Sequence, residues 1–234
     1  MKDLKIEILY PEFNNLFGDR GNYEYLSKKL KSADCNIQLF ETSLYEKPAF
    51  ASQDIDILLI GPCTESAQIL QLEELKKYKG EISARIDSEK VTLATGNAFE
   101  LFGQYIERAD GSKIECLQFF GHYAKQFSRL RFNDNAVGTF ENMKIVGFKN
   151  LLSHSYGELE YPFLKMMNGS GMNPDTDIEG IHKNNFFSTY HTGPILPLNP
   201  EFCDYLIRLC DEEYIPHELE FEKKAYEKRL EELT

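Results

Sequence analysis

Along the first hundred residues, hydrophobic and polar positions switch between the two periods of regular secondary structure. Leu4 to Leu9 (LKIEIL) reads as a short strand and Cys35 to Glu41 (CNIQLFE) alternates as a second one. Between them, Tyr23 to Ser32 (YEYLSKKLKS) sets Tyr23, Leu26 and Leu30 on one helical face. Ile55 to Ile60 (IDILLI) is an almost unbroken apolar run, the mark of a central parallel strand, and Gly61-Pro62 stops it. The pattern then predicts a helix around Ala67 to Tyr78, a strand over Val91 to Ala94 and a helix over Phe99 to Ile106. This strand and helix order predicts a doubly wound parallel sheet, on which ligands sit beyond the carboxyl ends of the strands.

The second half changes rhythm. Ala136 to Phe140, Met143 to Phe148 and Phe186 to Tyr190 read as short strands separated by polar turns, among them the glycine- and asparagine-rich Asn168 to Asn173 (NGSGMN). In the charged tail from Glu218 to Thr234, Tyr226, Leu230 and Leu233 share one face, which predicts a terminal helix docked on the body. A length of 234 residues is enough for one large domain, the expected organisation over 1–234.

Bulk properties then remove whole classes of function. The formal charge is −12 and no Lys/Arg-rich run is present, which argues against a nucleic-acid partner. No apolar run has the length needed to cross a bilayer, and the opening Met-Lys-Asp-Leu-Lys-Ile leads straight into a strand; the expectation is a cytoplasmic protein without membrane insertion. The five cysteines are odd in number and scattered without C-x-x-C spacing, so reduced thiols are expected rather than a disulfide framework or a zinc site.

The chemistry concentrates at VTLATGNAFELFG, Val91 to Gly103, a strand, sharp turn and helix of the kind on which α/β enzymes mount a nucleophile, here with glycine at the tip. Further segments are distinctive: Leu9 to Asn22 (LYPEFNNLFGDRGN), Ile60 to Ser66 (IGPCTES), Arg131 to Asn135 (RFNDN), Val146 to Asn150 (VGFKN), Gly169 to Gly180 (GSGMNPDTDIEG) and Thr189 to Pro200 (TYHTGPILPLNP). In this order they resemble the blocks of the CobB/CobQ-like class I glutamine amidotransferases, and within them the amidotransferase (GatD-type) subunits of lipid II isoglutaminyl synthase. The resemblance implies a flavodoxin-like α/β fold with a mostly parallel sheet flanked by helices. RFNDN resembles an Arg-Phe-Ile-Gly-Asn segment and VGFKN a Val-Gly-Phe-Glu-Asn one.

The same resemblance exposes departures. The family's nucleophile turn, Cys-Gly-Gly-Tyr-Gln-Leu-Leu-Gly, lines up with Gly96 to Gly103, so the cysteine position is Gly96. Glutamine hydrolysis on this frame proceeds through a thioester, which glycine cannot form. The family's Thr-Tyr-Leu-His-Gly-Pro lines up with Thr189 to Pro194, which puts Thr192 at the histidine position and His191 one residue early. The oxyanion loop reads Gly61-Pro62-Cys63, and proline has no backbone N–H to offer. Thr95 and His191 invite the idea of a displaced pair, but neighbouring side chains of an extended segment face opposite ways. Cys63 is a second candidate nucleophile, although nothing adjacent in sequence lowers the pKa of its thiol.

Arg131 falls at the family's glutamine-binding arginine, with a fork suited to an α-carboxylate; a solvated surface arginine is the alternative. Gly61 and Asn97 complete the ligand-binding candidates. Asp19 reads as a turn or helix-capping residue. His122 and His154 read as core or surface histidines, His182 and His217 carry no motif, and Asp175, Asp177 and Glu179 lack the ligand spacing of a calcium loop, so no metal and no cofactor is expected. The sequence has no phosphate-binding G-x-x-x-x-G-K-[ST]. The expectation is an amidotransferase-like subunit that has lost glutaminase activity and partners a Mur-ligase-like synthetase, with glutamine or a related amino acid as a retained ligand. The alternative is an active amidotransferase that supplies ammonia for cell-wall precursor or cobyric-acid-type amidation through relocated residues.

Overall fold

The computed structural model describes residues 3–217 and 219–234. In chain order the elements begin β1 (Leu4–Leu9), α1 (Arg20–Ser32), β2 (Ile37–Thr42), β3 (Ile57–Ile60), α2 (Glu65–Lys76), α3 (Lys79–Ile86) and β4 (Val91–Thr95). They continue with β5 (Tyr105–Glu107), β6 (Lys113–Glu115), β7 (His122–Gln126), β8 (Phe132–Phe140), β9 (Met143–Leu151), β10 (Ser153–Gly157), β11 (Pro162–Asn168), β12 (Ile178–Lys183) and β13 (Phe186–Thr189). Three helices follow: α4 (Ile195–Leu198), α5 (Pro200–Cys210) and α6 (Glu220–Leu233).

Nine strands form one sheet in the order β2-β1-β3-β4-β13-β12-β11-β8-β9. It is parallel from β2 to β13 and antiparallel beyond. The period-2 alternation of β3 shows why helices cover both faces of the parallel part. Ile57 and Leu59 face one core, closed by Tyr25, Leu26 and Leu30 of α1 and Phe202, Leu206 and Ile207 of α5. Leu58 and Ile60 face the other, closed by Leu72 and Leu75 of α2 and Ile82 and Ile86 of α3. The fold is therefore α/β, with the large sheet expected from the sequence.

The structure departs from the pattern after the β4 turn. A 3₁₀ helix occupies Gly96–Phe102, and the chain then enters β5 instead of continuing as an α-helix to Ile106. Almost every side chain of Gly96–Phe102 is buried, so the segment has no polar face to turn to water. The carbonyls of Leu101, Phe102 and Gly103 accept N–H groups from the passing segment Leu117 to Phe120 and are lost to a helical ladder. β5 joins a second sheet, β10-β7-β5-β6. The tail behaves as expected over α6, with Tyr226, Leu230 and Leu233 half-buried and the Tyr226 hydroxyl donating to the Lys144 carbonyl at 2.9 Å; Glu218 lies outside the described residues. Among the described residues no helix is long and apolar enough to cross a membrane.

Phe202 is fully buried, with its ring centroid 5.4 Å from that of Phe163 and 5.6 Å from that of Phe187. Phe202→Ala is expected to cost about 3–5 kcal/mol, and the exposed Tyr45→Ala less than about 0.5 kcal/mol. Urea unfolding of the two variants checks the contrast.

Candidate functional site

Strands β3 and β4 are parallel neighbours, so their carboxyl ends bring Gly61-Pro62-Cys63 and Gly96-Asn97 side by side. Gly96 sits at the tip of the β4 turn with φ +60, a left-handed conformation that glycine adopts without steric cost. The turn thus keeps the backbone shape of a nucleophile elbow. A Cβ at this position would stand 2.6 Å from the Pro62 Cβ and 3.0 Å from the Thr192 methyl. The space for a nucleophile's side chain is filled.

Thr192 forms a β-bridge with Phe148, and its hydroxyl donates to the Phe148 carbonyl at 2.8 Å. His191, one residue earlier, points the other way, as alternation in an extended segment requires. Its ring packs on Gly147, where a Cβ would come within 2.5 Å of it, and neither ring nitrogen has a hydrogen-bond partner among the described residues. Burial, reinforced by the charge of Lys149, holds its pKa well below the ordinary histidine value. The Thr95 hydroxyl donates to Asp19 Oδ1 at 2.7 Å. The displaced threonine and histidine are therefore engaged in separate interior environments, and neither lines the cleft at the turn.

Asn97 acts as a clasp. Its Oδ1 accepts the Cys63 N–H at 3.0 Å and its Nδ2 donates to the Cys63 carbonyl at 2.9 Å. Pro62 has no N–H and that of Cys63 is committed, so neither of these two residues offers a donor to a developing oxyanion in this conformation. The Cys63 thiol is pushed up to about 12 by burial, with Glu100 and Glu65 adding to the shift, so it is protonated at neutral pH. Gly61 does not line the cleft; a Cβ there would collide with the Asp19 carboxylate and approach the Asn14 carbonyl to 2.8 Å.

The cleft has a volume of about 250 Å³. Pro62, Cys63, Gly96, Asn97, Arg131 and Thr192 all line it, so the tertiary structure gathers six of the residues singled out in the sequence. Arg131 is exposed and donates from Nη1 to Asn150 Oδ1. Two charged residues escaped the sequence reading. Glu100 is buried at the cleft wall, accepting hydrogen bonds from Ser153 Oγ, from Gln68 Nε2 at 2.9 Å and from the Tyr190 hydroxyl at 3.0 Å, and burial raises its pKa. Lys149 is buried with Nζ donating to the carbonyls of Ser170 at 2.5 Å and Gly171 at 2.9 Å. The signal was available in the matched blocks: Glu100 aligns with a glutamine and Lys149 with a glutamate.

Residues 5–200 match the CobB/CobQ-like glutamine amidotransferase domain. The chain belongs to the CobB/CobQ-like glutamine amidotransferase family. It is 29% identical over 222 residues to the lipid II isoglutaminyl synthase (glutamine-hydrolyzing) subunit GatD of Staphylococcus aureus, covering 93% of this chain and 89% of that protein. To the subunit of the same name from Streptococcus pneumoniae it is 28% identical over 212 residues, covering 87% and 79%. Two solved structures share the fold. One is a glutamine amidotransferase at a TM-score of 0.55 and 9% identity, covering 87% of this chain and 98% of the other. The other is a glutamine amidotransferase from Thermotoga maritima at a TM-score of 0.53 and 10% identity, covering 98% and 91%.

Asp19, at the start of α1, lies behind the turn. It accepts from Thr95 and, at 2.9 Å, from Asn22 Nδ2, yet burial outweighs both bonds and raises its pKa from 3.8 to about 7. The folded state therefore holds this proton more tightly than the unfolded chain. The associated stability is fully present below about pH 4 and is lost as pH rises through about 7, with a slope of up to about 1.4 kcal/mol per pH unit. Asp19→Asn is expected to flatten that part of the curve, as measured by urea unfolding between pH 4 and 8. Gly96→Cys is expected to destabilise the fold by about 1–3 kcal/mol, from positive φ and the Pro62 collision, with partial recovery in Gly96→Cys/Pro62→Gly. Denaturation midpoints of the two variants check this.

Proposed function

We propose that this chain is an amidotransferase-like subunit that does not hydrolyse glutamine and serves as a structural or regulatory partner of a Mur-ligase-like synthetase. One observation carries the reading: the Pro62 ring occupies the place of a side chain at the elbow tip, where Gly96 already lacks one. Thioester chemistry needs sulfur at that point, a base facing it and donors for the oxyanion. Here the tip has no side chain, Thr192 spends its hydroxyl on a backbone carbonyl, and Asn97 takes the Cys63 N–H. The relatives from S. aureus and S. pneumoniae are named as subunits, which supports function within an assembly. The absence of a G-x-x-x-x-G-K-[ST] sequence is consistent with ATP chemistry residing in that partner.

Ammonia release from L-glutamine by the purified chain, alone and mixed with its synthetase partner, is expected to stay at background and to be unchanged in Cys63→Ala. Release that depends on a thiol and disappears in Cys63→Ala would establish a relocated nucleophile and overturn the proposal.

A further inference from the structure

A second cavity, of about 450 Å³, opens between the turn joining β5 to β6 and the segment that leaves β7. It is distinct from the cleft at the β4 turn, and only Gln126 lines both. Three cations, Arg108, Lys125 and Arg129, line it against a single carboxylate, Glu107. That carboxylate is already shared, 3.4 Å from Lys125 Nζ and 3.9 Å from Lys113 Nζ. Asp110, in the turn, feels the charge of Arg108 but spends Oδ1 on the Ser112 N–H at 2.9 Å and on its hydroxyl at 2.6 Å. Among the described residues neither Arg108 nor Arg129 has an ion pair or a side-chain hydrogen bond, so both guanidiniums keep their full set of donors.

The backbone adds to this. Ladder pairing of β7 ends with the Phe127 N–H, which goes to the Leu152 carbonyl, and β8 begins at Phe132. Between them the N–H groups of Ser128, Arg129 and Leu130 have no partner among the described residues. In a chain of formal charge −12, an unneutralised group of cations stands against the average field, which repels anions at long range. An extended peptide would bring N–H donors as well as carbonyls, and the one lining carboxylate is already engaged. A diphosphate brings acceptors only, with several negative charges in one compact group, which suits two guanidinium forks and an ammonium. We propose that this cavity binds a diphosphate-bearing anion, held between the Arg108 and Arg129 guanidiniums with Lys125 as a third charge. The site goes beyond the reading of the chain as an inert subunit and holds whether or not that reading does.

The test is calorimetric titration of the full chain with inorganic pyrophosphate, orthophosphate and ADP at low salt without divalent cations. Pyrophosphate is expected to bind, and orthophosphate about tenfold more weakly. Arg108→Gln and Arg129→Gln, both at exposed positions, are each expected to weaken pyrophosphate by about tenfold, and Arg229→Gln, on the exposed face of α6, to leave it unchanged. ADP separates the sources: binding as tight as that of pyrophosphate assigns the site to organic diphosphates, and its exclusion assigns it to the inorganic ion. No binding of pyrophosphate, or equal weakening by Arg229→Gln, which would reduce the effect to general charge attraction, overturns the proposal. Tighter binding of a hexaglutamate peptide than of pyrophosphate would give the cavity to an acidic protein segment and overturn it as well.

Discussion

The contact between Pro62 and Gly96 governs the rest of the site. β3 and β4 run parallel and end together, and the chain leaving β3 must pass over the tip of the turn leaving β4. With glycine at the tip, the proline ring can settle where a side chain would otherwise project, and Asn97 then ties the two loops with a pair of hydrogen bonds to Cys63. Each change depends on the other. A Cβ at the tip would force the proline ring to shift, and the absent side chain leaves a gap that close packing does not tolerate.

Around this contact the interior is unusually rich in buried ionisable groups. Asp19, Glu100, Glu179, Lys149 and His191 are all withdrawn from water. Most are satisfied by neutral partners: Asp19 by Thr95 and Asn22, Glu179 by Thr189 and the Tyr190 N–H, Lys149 by two carbonyls. Desolvation is accordingly the leading cause of each shift, and pushes every group toward its neutral form. In a catalytic centre such perturbed groups converge on the reacting atoms. Here they diverge: Asp19 lies behind the turn, His191 packs on Gly147, and Glu100 alone of the five lines the cleft.

The parallel half of the fold was legible because its strands are short apolar runs punctuated by glycine and proline, and because the helices between them carry one apolar face. The strands β5 to β7 and β10 to β12 were not. Several are three to five residues long, and β6 and β7 carry charged or polar side chains, so their place in a sheet depends on neighbours far away in sequence. The expected helix from Phe99 to Ile106 failed for a related reason: its apolar spacing suited a helix, but the segment Leu117 to Phe120 captured its carbonyls.

At the site, the sequence alone determined that the residues at the family's nucleophile and base positions are Gly96 and Thr192, which carry neither a thiol nor an imidazole. It also singled out Arg131, through the resemblance of RFNDN to a family block, and the structure sets that residue on the cleft. Only the tertiary structure decided that Pro62 fills the vacated space, that Asn97 serves as a clasp, and that Glu100 is buried at the cleft wall among neutral hydrogen-bond donors. Those properties belong to distances and burial. They arise when strands distant along the chain come to lie side by side, and no local pattern of residues encodes them.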